Sequence, residues 1–512
     1  MSPAGPGDLK RAAARGVGWK IAAEFVSQAT RLAVLLILAR LLVPSEFGIA
    51  GIVIAFAIFV PLFADLGLGA ALIQTPTLTE VERSTVFWTS LPLGLGFMGL
   101  GIALSWPLAS IFDEPSLQPL FAAFSVCFLL GSLTSVPNAL LIRAMHFRAL
   151  EIRVIAGNLV GGAVAVALAL GGFGAWAIVG GEITNRAVAL VTIWLQSHWR
   201  PKLIFSRRTL REQFAYGGTL FGAYLLLQFS QTVQVILVGR FLGASAVGRL
   251  TVSQTLVYLP FNRIAGPIQE VMFPAFSRMQ DEPARILRAL NRINQVLAAI
   301  AFPMLTGLAV LAPEFTAVVL GPKWAGTEEV IRVLAIAGMA LALQRVNFSV
   351  LSARGYARQI MWVGAGALTS TVAVILVAYP YGLVATVAAL AAQTLVLQAV
   401  IMWVTAGSLD ARFRDLARPL ARIAVATGVM AAAVVLVVAA SREFGVGSAG
   451  ILLAGIAIGT VVFVPLLLLL EPELIAELRG FARHGRRPTD PRAQAPSGDG
   501  GGGLLPGGNA SP

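Results

Sequence analysis

The stretch Arg40-Leu-Leu-Val-Pro-Ser-Glu-Phe-Gly48 joins two apolar runs. Val17 to Ala39 precedes it, interrupted by Trp19-Lys20, Glu24, Ser27-Gln28 and Thr30-Arg31, and Ile49 to Ile73 follows with one charge, Asp65. Each run has the ~20 residues that a helix needs to cross a bilayer. The joint therefore reads as a short loop between two spanning helices, too short to hold a folded domain. It has an echo in the same chain: Arg240-Phe-Leu-Gly-Ala-Ser-Ala-Val-Gly248 repeats the pattern Arg-x-Leu-x-x-Ser-x-x-Gly, 200 residues later. At the same offset Gly18 meets Gly218, Ala23 meets Ala223 and Gln28 meets Gln228. An ungapped match along a whole helix predicts that the two halves of the chain are repeats.

Hydrophobic residues make up 57% of the 512 and charged residues 12%, the balance of a membrane protein. Backbone polar groups in a bilayer must be satisfied within their own segment. Without the alternation of barrel strands, that selects an all-α polytopic protein. The first apolar run is too long for a signal-peptide core and lacks a cleavage site in the usual place, so no signal peptide is expected. Cys127 is the only cysteine, which excludes an internal disulfide or a thiolate cluster. His146, His198 and His484 are scattered over different segments, and neither a phosphate-binding glycine loop nor a nucleophile elbow is present. No enzyme, metal or cofactor is expected.

Fourteen spans are predicted: 17–39, 48–72, 84–106, 117–142, 152–171, 175–196, 213–239, 247–275, 290–312, 326–352, 358–379, 382–405, 419–440 and 449–470. They divide into a basic arm (1–16), a six-helix repeat (17–196), a basic linker (197–212), a second six-helix repeat (213–405), two extra helices (419–470) and a disordered tail (480–512). Of 38 Lys and Arg residues, 28 fall on the side of the N-terminus and five opposite, at Arg40, Arg240, Arg249, Lys323 and Arg442. By the positive-inside rule both termini are cytoplasmic and the repeats are parallel. The same bias accounts for the net charge of +13 through contact with anionic lipid, without nucleic acid.

Ionisable groups at membrane depth are the candidate functional residues, because each costs ~2.5–3.5 kcal/mol unless it faces a bundle interior or a wet cavity. Arg31 lies past the middle of the first span, with Gln28 and Glu24 on roughly the same face. Arg263 sits beside Asn262 in the eighth span, and Arg345 lies in the tenth between Gln344 and Asn347. Unpaired arginines in one bundle make a cationic cavity suited to phosphate or pyrophosphate. Gln228, Gln231 and Gln234 add hydrogen-bonding groups for a sugar, or alternatively bond helix to helix. Arg186 follows Glu182 by four residues, the spacing of an internal ion pair. Glu24 is a possible partner for Arg31. Asp65, with Glu24, is a candidate for ion coupling and equally for capping or pairing near a span end. Arg332 is near enough to a span end to snorkel. Spacings such as Gly157 to Gly161 predict close helix packing.

The stretch Ile37-Leu-Ala-Arg-Leu-Leu-Val-Pro-Ser-Glu-Phe-Gly-Ile, followed by Phe63-Ala-Asp-Leu-Gly-Leu-Gly-Ala-Ala-Leu-Ile-Gln74, resembles the N-terminal signature of the polysaccharide-transporter family. Met145-His-Phe-Arg148 and Phe173-Gly-Ala-Trp176 also resemble family features. These are oligosaccharide-lipid flippases, in the superfamily that includes multidrug-and-toxin extrusion transporters and the peptidoglycan-precursor flippase. The resemblance implies two six-helix bundles in a V around a central cavity. It implies alternating access that carries an undecaprenyl-pyrophosphate-linked oligosaccharide across a bacterial inner membrane for lipopolysaccharide, exopolysaccharide or capsule synthesis. Polymerase and chain-length or export proteins would then be partners. A cation-coupled drug exporter of the same fold is the alternative; it should show an acid-dominated cavity, whereas the unpaired charges here are mainly Arg. A glycan polymerase or ligase should carry a large outer loop with catalytic Arg or His, and none is present.

Overall fold

The computed structural model describes residues 26–66, 68–75, 78–211 and 232–472. Helix α1 (26–41) ends at the joint, where only Leu42 and Val43 are outside helix, so the loop is narrower than the 40–48 expected. Pro44 begins α2 (Pro44–Ala55), its fixed φ suited to a first helical position. The Glu46 carboxylate accepts from the Val43 N–H at 2.9 Å and satisfies a donor that the helix start leaves free.

The second apolar run is not the single helix predicted over 48–72. It passes through a 3-10 turn (Ala57–Phe59), α3 (Val60–Asp65), a left-handed residue at Leu66 (φ 52°) and α4 (Leu68–Gln74). Pro61 lacks an N–H and its ring clashes with the preceding turn, so the helix stops and restarts there. The Ala57 carbonyl accepts the Val60 N–H and closes the 3-10 turn.

The chain then continues through α5 (Glu80–Phe112), α6 (Leu117–Phe124), α7 (Val126–Arg143), α8 (Phe147–Leu170) and α9 (Ala175–Gln196). After the segment 197–206 follow α10 (Thr232–Leu242), α11 (Ala244–Arg278) and α12 (Pro283–Val310). A compact hairpin, with α13 (Ala312–Phe315), a π turn (Thr316–Leu320) and a 3-10 turn (Pro322–Trp324), replaces the plain loop expected over 311–325. The last helices are α14 (Thr327–Ala353), α15 (Ala357–Ala378), α16 (Gly382–Ser408), α17 (Phe413–Glu443) and α18 (Ser448–Leu470). Among the described residues there is no strand, and ten stretches are long and apolar enough to span a membrane. In that count α15 and α16 form one stretch, Arg358–Ser408.

One core joins α1 and α2 with α6 to α9, α11, α12 and α14. In lipid the hydrophobic effect does not draw helices together, and close packing of small residues must do it. The α2–α11 crossing is the clearest case. A Cβ on Gly48 would overlap the Ala244 carbonyl, and one on Gly248 would overlap the Pro44 carbonyl. The 312–324 hairpin seals the same end. Trp324 Nε1 donates to the Ala39 carbonyl at 2.7 Å, Lys323 Nζ to the Leu41 carbonyl at 2.7 Å, and Arg40 Nε to the Val319 carbonyl at 3.0 Å. The Trp324 ring is fully buried, edge-on to Phe47 with centroids 5.1 Å apart. Helices α17 and α18 are tied on at two places: Arg442 Nε donates to buried Glu314 at 3.0 Å, and Gln295 Nε2 on α12 donates to buried Glu471 at 3.5 Å.

Candidate functional site

A cavity of about 670 Å³ lies among α1, the broken segment after α2, α7, α8 and α9. All of its lining residues fall between Arg31 and Ala189, so it belongs to the N-terminal group of helices rather than to the midline between halves. Glycines set its back wall. A Cβ on Gly161 would stand 2.6 Å from the Gly181 carbonyl oxygen, and one on Gly181 would stand 2.7 Å from Ala165 Cβ. The backbones of α8 and α9 therefore approach as the Gly157–Gly161 spacing predicts, and this brings two asparagines together.

Asn158, buried, is the hub of the site. Its Oδ1 accepts from Asn185 Nδ2 at 2.9 Å and from Arg31 Nε at 3.3 Å, while its Nδ2 donates to Ser27 Oγ at 2.5 Å. Two helices flanking the cavity are thus bonded to α8 through one amide, which fixes the root of the Arg31 fork and leaves its remaining N–H groups for the cavity. Arg186 Nε donates to Glu182 Oε1 at 2.8 Å, and its Nη2 donates to the Ala57 carbonyl at 3.4 Å, which also accepts the Val60 N–H in the 3-10 turn. Arg153 also lines the wall; its Nε is shielded from solvent and has no hydrogen-bond partner. Three guanidinium groups and one carboxylate thus share the wall with Asn158, Asn185, Thr134 and apolar side chains. The lining itself carries three positive charges and one negative, with Glu182 paired to Arg186. Such a wall favours an anion, and forked donors suit phosphate oxygens in particular.

The other candidates lie elsewhere. Gln28 is half-buried on α1 and does not line the cavity. Glu24, Gln228 and Gln231 fall outside the described residues. For Asp65, Asn262 and Arg263 only the backbone is described, at the end of α3 and within α11. Arg345 is exposed on α14 and is not part of this cavity. Arg332 lies 2.7 Å from Glu329, one turn away. Gln234 accepts from Gln254 Nε2 at 3.5 Å, a helix-to-helix contact.

Three residues of the site were not foreseen. Arg153 counts among the basic-side charges when loops are sorted by sequence, but α8 begins at Phe147 and carries it inward. Asn158 and Asn185 are single amides in apolar runs, next to Gly157 and Arg186 respectively, and that placement is the only trace they leave in the sequence.

Residues 37–329 match the family model described as "Polysaccharide biosynthesis protein". The chain belongs to this family. Family relatives include the teichuronic acid biosynthesis protein TuaB of Bacillus subtilis, 26% identical over 73% of this chain and 78% of its own length. The succinoglycan biosynthesis transport protein ExoT of Rhizobium meliloti is 28% identical over 63% and 65%. The lipopolysaccharide biosynthesis protein WzxC of Escherichia coli is 23% identical over 68% and 71%. In fold, this family member resembles the lipid II flippase MurJ in an inward closed conformation, with a TM-score of 0.73 at 13% identity over 88% of this chain and 98% of that one. A MATE-family multidrug transporter in an inward-facing conformation gives 0.56 at 15% identity, over 78% and 95%. The fold is that of a multi-pass membrane protein of the MurJ and MATE type.

Proposed function

We propose that this protein moves a lipid-linked oligosaccharide across the bacterial cytoplasmic membrane, with its pyrophosphate held by the arginines of the N-terminal cavity. The observation that carries this reading is the convergence of Arg31, Arg153 and Arg186 on one cavity beside a single carboxylate. A cation exporter needs acids there. The relatives are named for teichuronic acid, succinoglycan and lipopolysaccharide biosynthesis, one of them as a transport protein, which supports a transported glycan.

Alternating access then needs an end that opens. The α2–α11 crossing and the hairpin seal form such an end, held by hydrogen bonds and packing rather than by covalent ties. Each glycine contact there is the image of the other at the 200-residue offset, which supports two parallel halves rocking about this point. Both termini lie in the cytoplasm on this reading, so reporter fusions after residues 44 and 480 should report opposite sides.

The test is reconstitution of the purified protein in vesicles carrying a fluorescent oligosaccharide on a polyprenyl pyrophosphate. Quenching from outside should reveal protein-dependent exchange between leaflets. Exchange of a neutral polyprenyl glycoside at the same rate would remove the pyrophosphate from the argument. No exchange of either would sink the proposal.

A further inference from the structure

A second pocket, of about 780 Å³, opens at the basic end of the N-terminal helices and does not communicate with the role just proposed. It is built where the segment 197–206 folds back over α5. Trp88 Nε1 donates to the Lys202 carbonyl at 2.7 Å, the Lys202 N–H to Ser84 Oγ at 3.2 Å, and the Ser206 N–H to Thr85 Oγ1 at 3.1 Å. The Trp199 ring stacks on Trp194, with centroids 6.3 Å apart, and its Nε1 donates to Glu80 at 3.2 Å. The walls are therefore ordered before any ligand arrives.

The charge of the lining is one-sided. Arg83, Arg143, Arg200 and Lys202 face a single carboxylate, Glu80, which Arg83 already pairs at 2.9 Å. Arg143 spans the carbonyls of Leu72 and Ile73 at 3.1 and 3.2 Å, and Arg200 those of Ser197 and Trp199 at 2.7 and 2.8 Å. Neutral carbonyls fix the Arg200 guanidinium without cancelling its charge. His146, His198 and Lys202 are exposed and line the same space. Exposed apolar side chains adjoin lining residues along the chain: Met145, 71% exposed, is next to His146, Leu195, 79%, next to Gln196, and Leu203, 90%, next to Lys202. A basic pocket whose lining residues adjoin exposed apolar groups at a helix end suits a ligand that is anionic at its head and greasy behind it.

We propose that this pocket is a phosphate-binding site that takes the headgroup of an anionic phospholipid, separate from the cavity that holds the transported lipid. Free inorganic phosphate offers the same head chemistry without the tail, and the adjoining apolar groups favour the lipid.

The test uses the full-length protein in neutral detergent. It is titrated with phosphatidylglycerol, phosphatidylcholine or inorganic phosphate, and bound adducts are counted by native mass spectrometry. Phosphatidylglycerol should be retained over phosphatidylcholine. Loss of the Lys202 charge in Lys202→Gln should weaken that retention about five-fold, as one surface charge near an anionic headgroup is worth. His198→Ala with Lys202→Ala should weaken it further, Lys202→Arg should keep it, and Arg153→Ala in the other cavity should not change it. Should the double variant fail to accumulate, the Lys202→Gln and Lys202→Arg pair still decides. Unchanged retention in Lys202→Gln, or loss in Arg153→Ala instead, overturns the site. Inorganic phosphate binding with no preference between the two lipids would keep the phosphate site and overturn the lipid.

Discussion

Gly48 and Gly248 lie against each other where α2 crosses α11, each beside the residue four positions before its counterpart, Ala244 for Gly48 and Pro44 for Gly248. A Cβ at either place overlaps a carbonyl of the facing backbone, which cannot rotate aside. Overpacking of this kind costs ~1–3 kcal/mol. Gly48→Ala and Gly248→Ala should each lower the melting temperature of the purified protein and loosen this end. A cysteine placed at Leu41 would then react faster with an impermeant maleimide, against a low background because Cys127 is buried. Wild-type melting and labelling in both variants would mean that the helices part without cost.

Trp324 makes a separable contribution to the same seal. Trp324→Phe keeps an aromatic ring against Phe47 but removes the bond to the Ala39 carbonyl. A buried carbonyl left without its donor costs ~1–3 kcal/mol. The expected result is a more open end, seen as faster labelling at position 41, with the protein still inserted. Trp324→Leu should do more, since it also loses the ring. Equal labelling in wild type and both variants would place the seal elsewhere.

The pair Glu182–Arg186 poses a question that stability can answer. Both side chains are partly shielded, so Arg186→Gln alone leaves a carboxylate in the cavity wall without its partner. That should cost ~1–3 kcal/mol, and adding Glu182→Gln should recover part of it. Melting curves of the two single variants and the double variant measure the coupling. If Arg186→Gln melts as the wild type does while transport fails, the arginine serves the ligand rather than the acid.

The helices were legible because their signal is long: twenty apolar residues in a row admit few readings, and a lone Glu182–Arg186 spacing reads as one turn of helix. The break after α2 was not, because Pro61 in an apolar run looks the same whether the helix bends or stops. The site was half legible. Arg31 could be singled out as a charge at membrane depth, but its partner, Asn158, is 127 residues away, and which helix faces which is decided by Gly161 and Gly181 at their contact. Arg153 was misplaced for a related reason. Sorting charges into loops by sequence cannot see that a helix beginning at Phe147 turns an arginine toward a cavity.

Arg153 and Asn158 supply the sharpest test of that cavity, because they act on charge in different ways. Arg153 holds a shielded Nε with no hydrogen-bond partner, and Glu151 acts on its charge, so its removal breaks no bond at that nitrogen. Arg153→Ala should leave expression and melting near wild type and reduce transport of a pyrophosphate-linked glycan about ten-fold or more, the worth of one charge-assisted bond. Arg153→Lys should retain part of the rate, since an ammonium keeps the charge but cannot fork across two phosphate oxygens. Asn158→Ala leaves every arginine in place and releases Arg31, Asn185 and Ser27 together. It should lower both melting temperature and transport, and a more acidic or more basic headgroup should not change their ratio. Transport assays on the three variants, each normalised to the amount of folded protein, decide the matter. Normal transport in Arg153→Ala alongside a loss in Asn158→Ala would mean that the asparagine network shapes the bundle and the anion is held elsewhere.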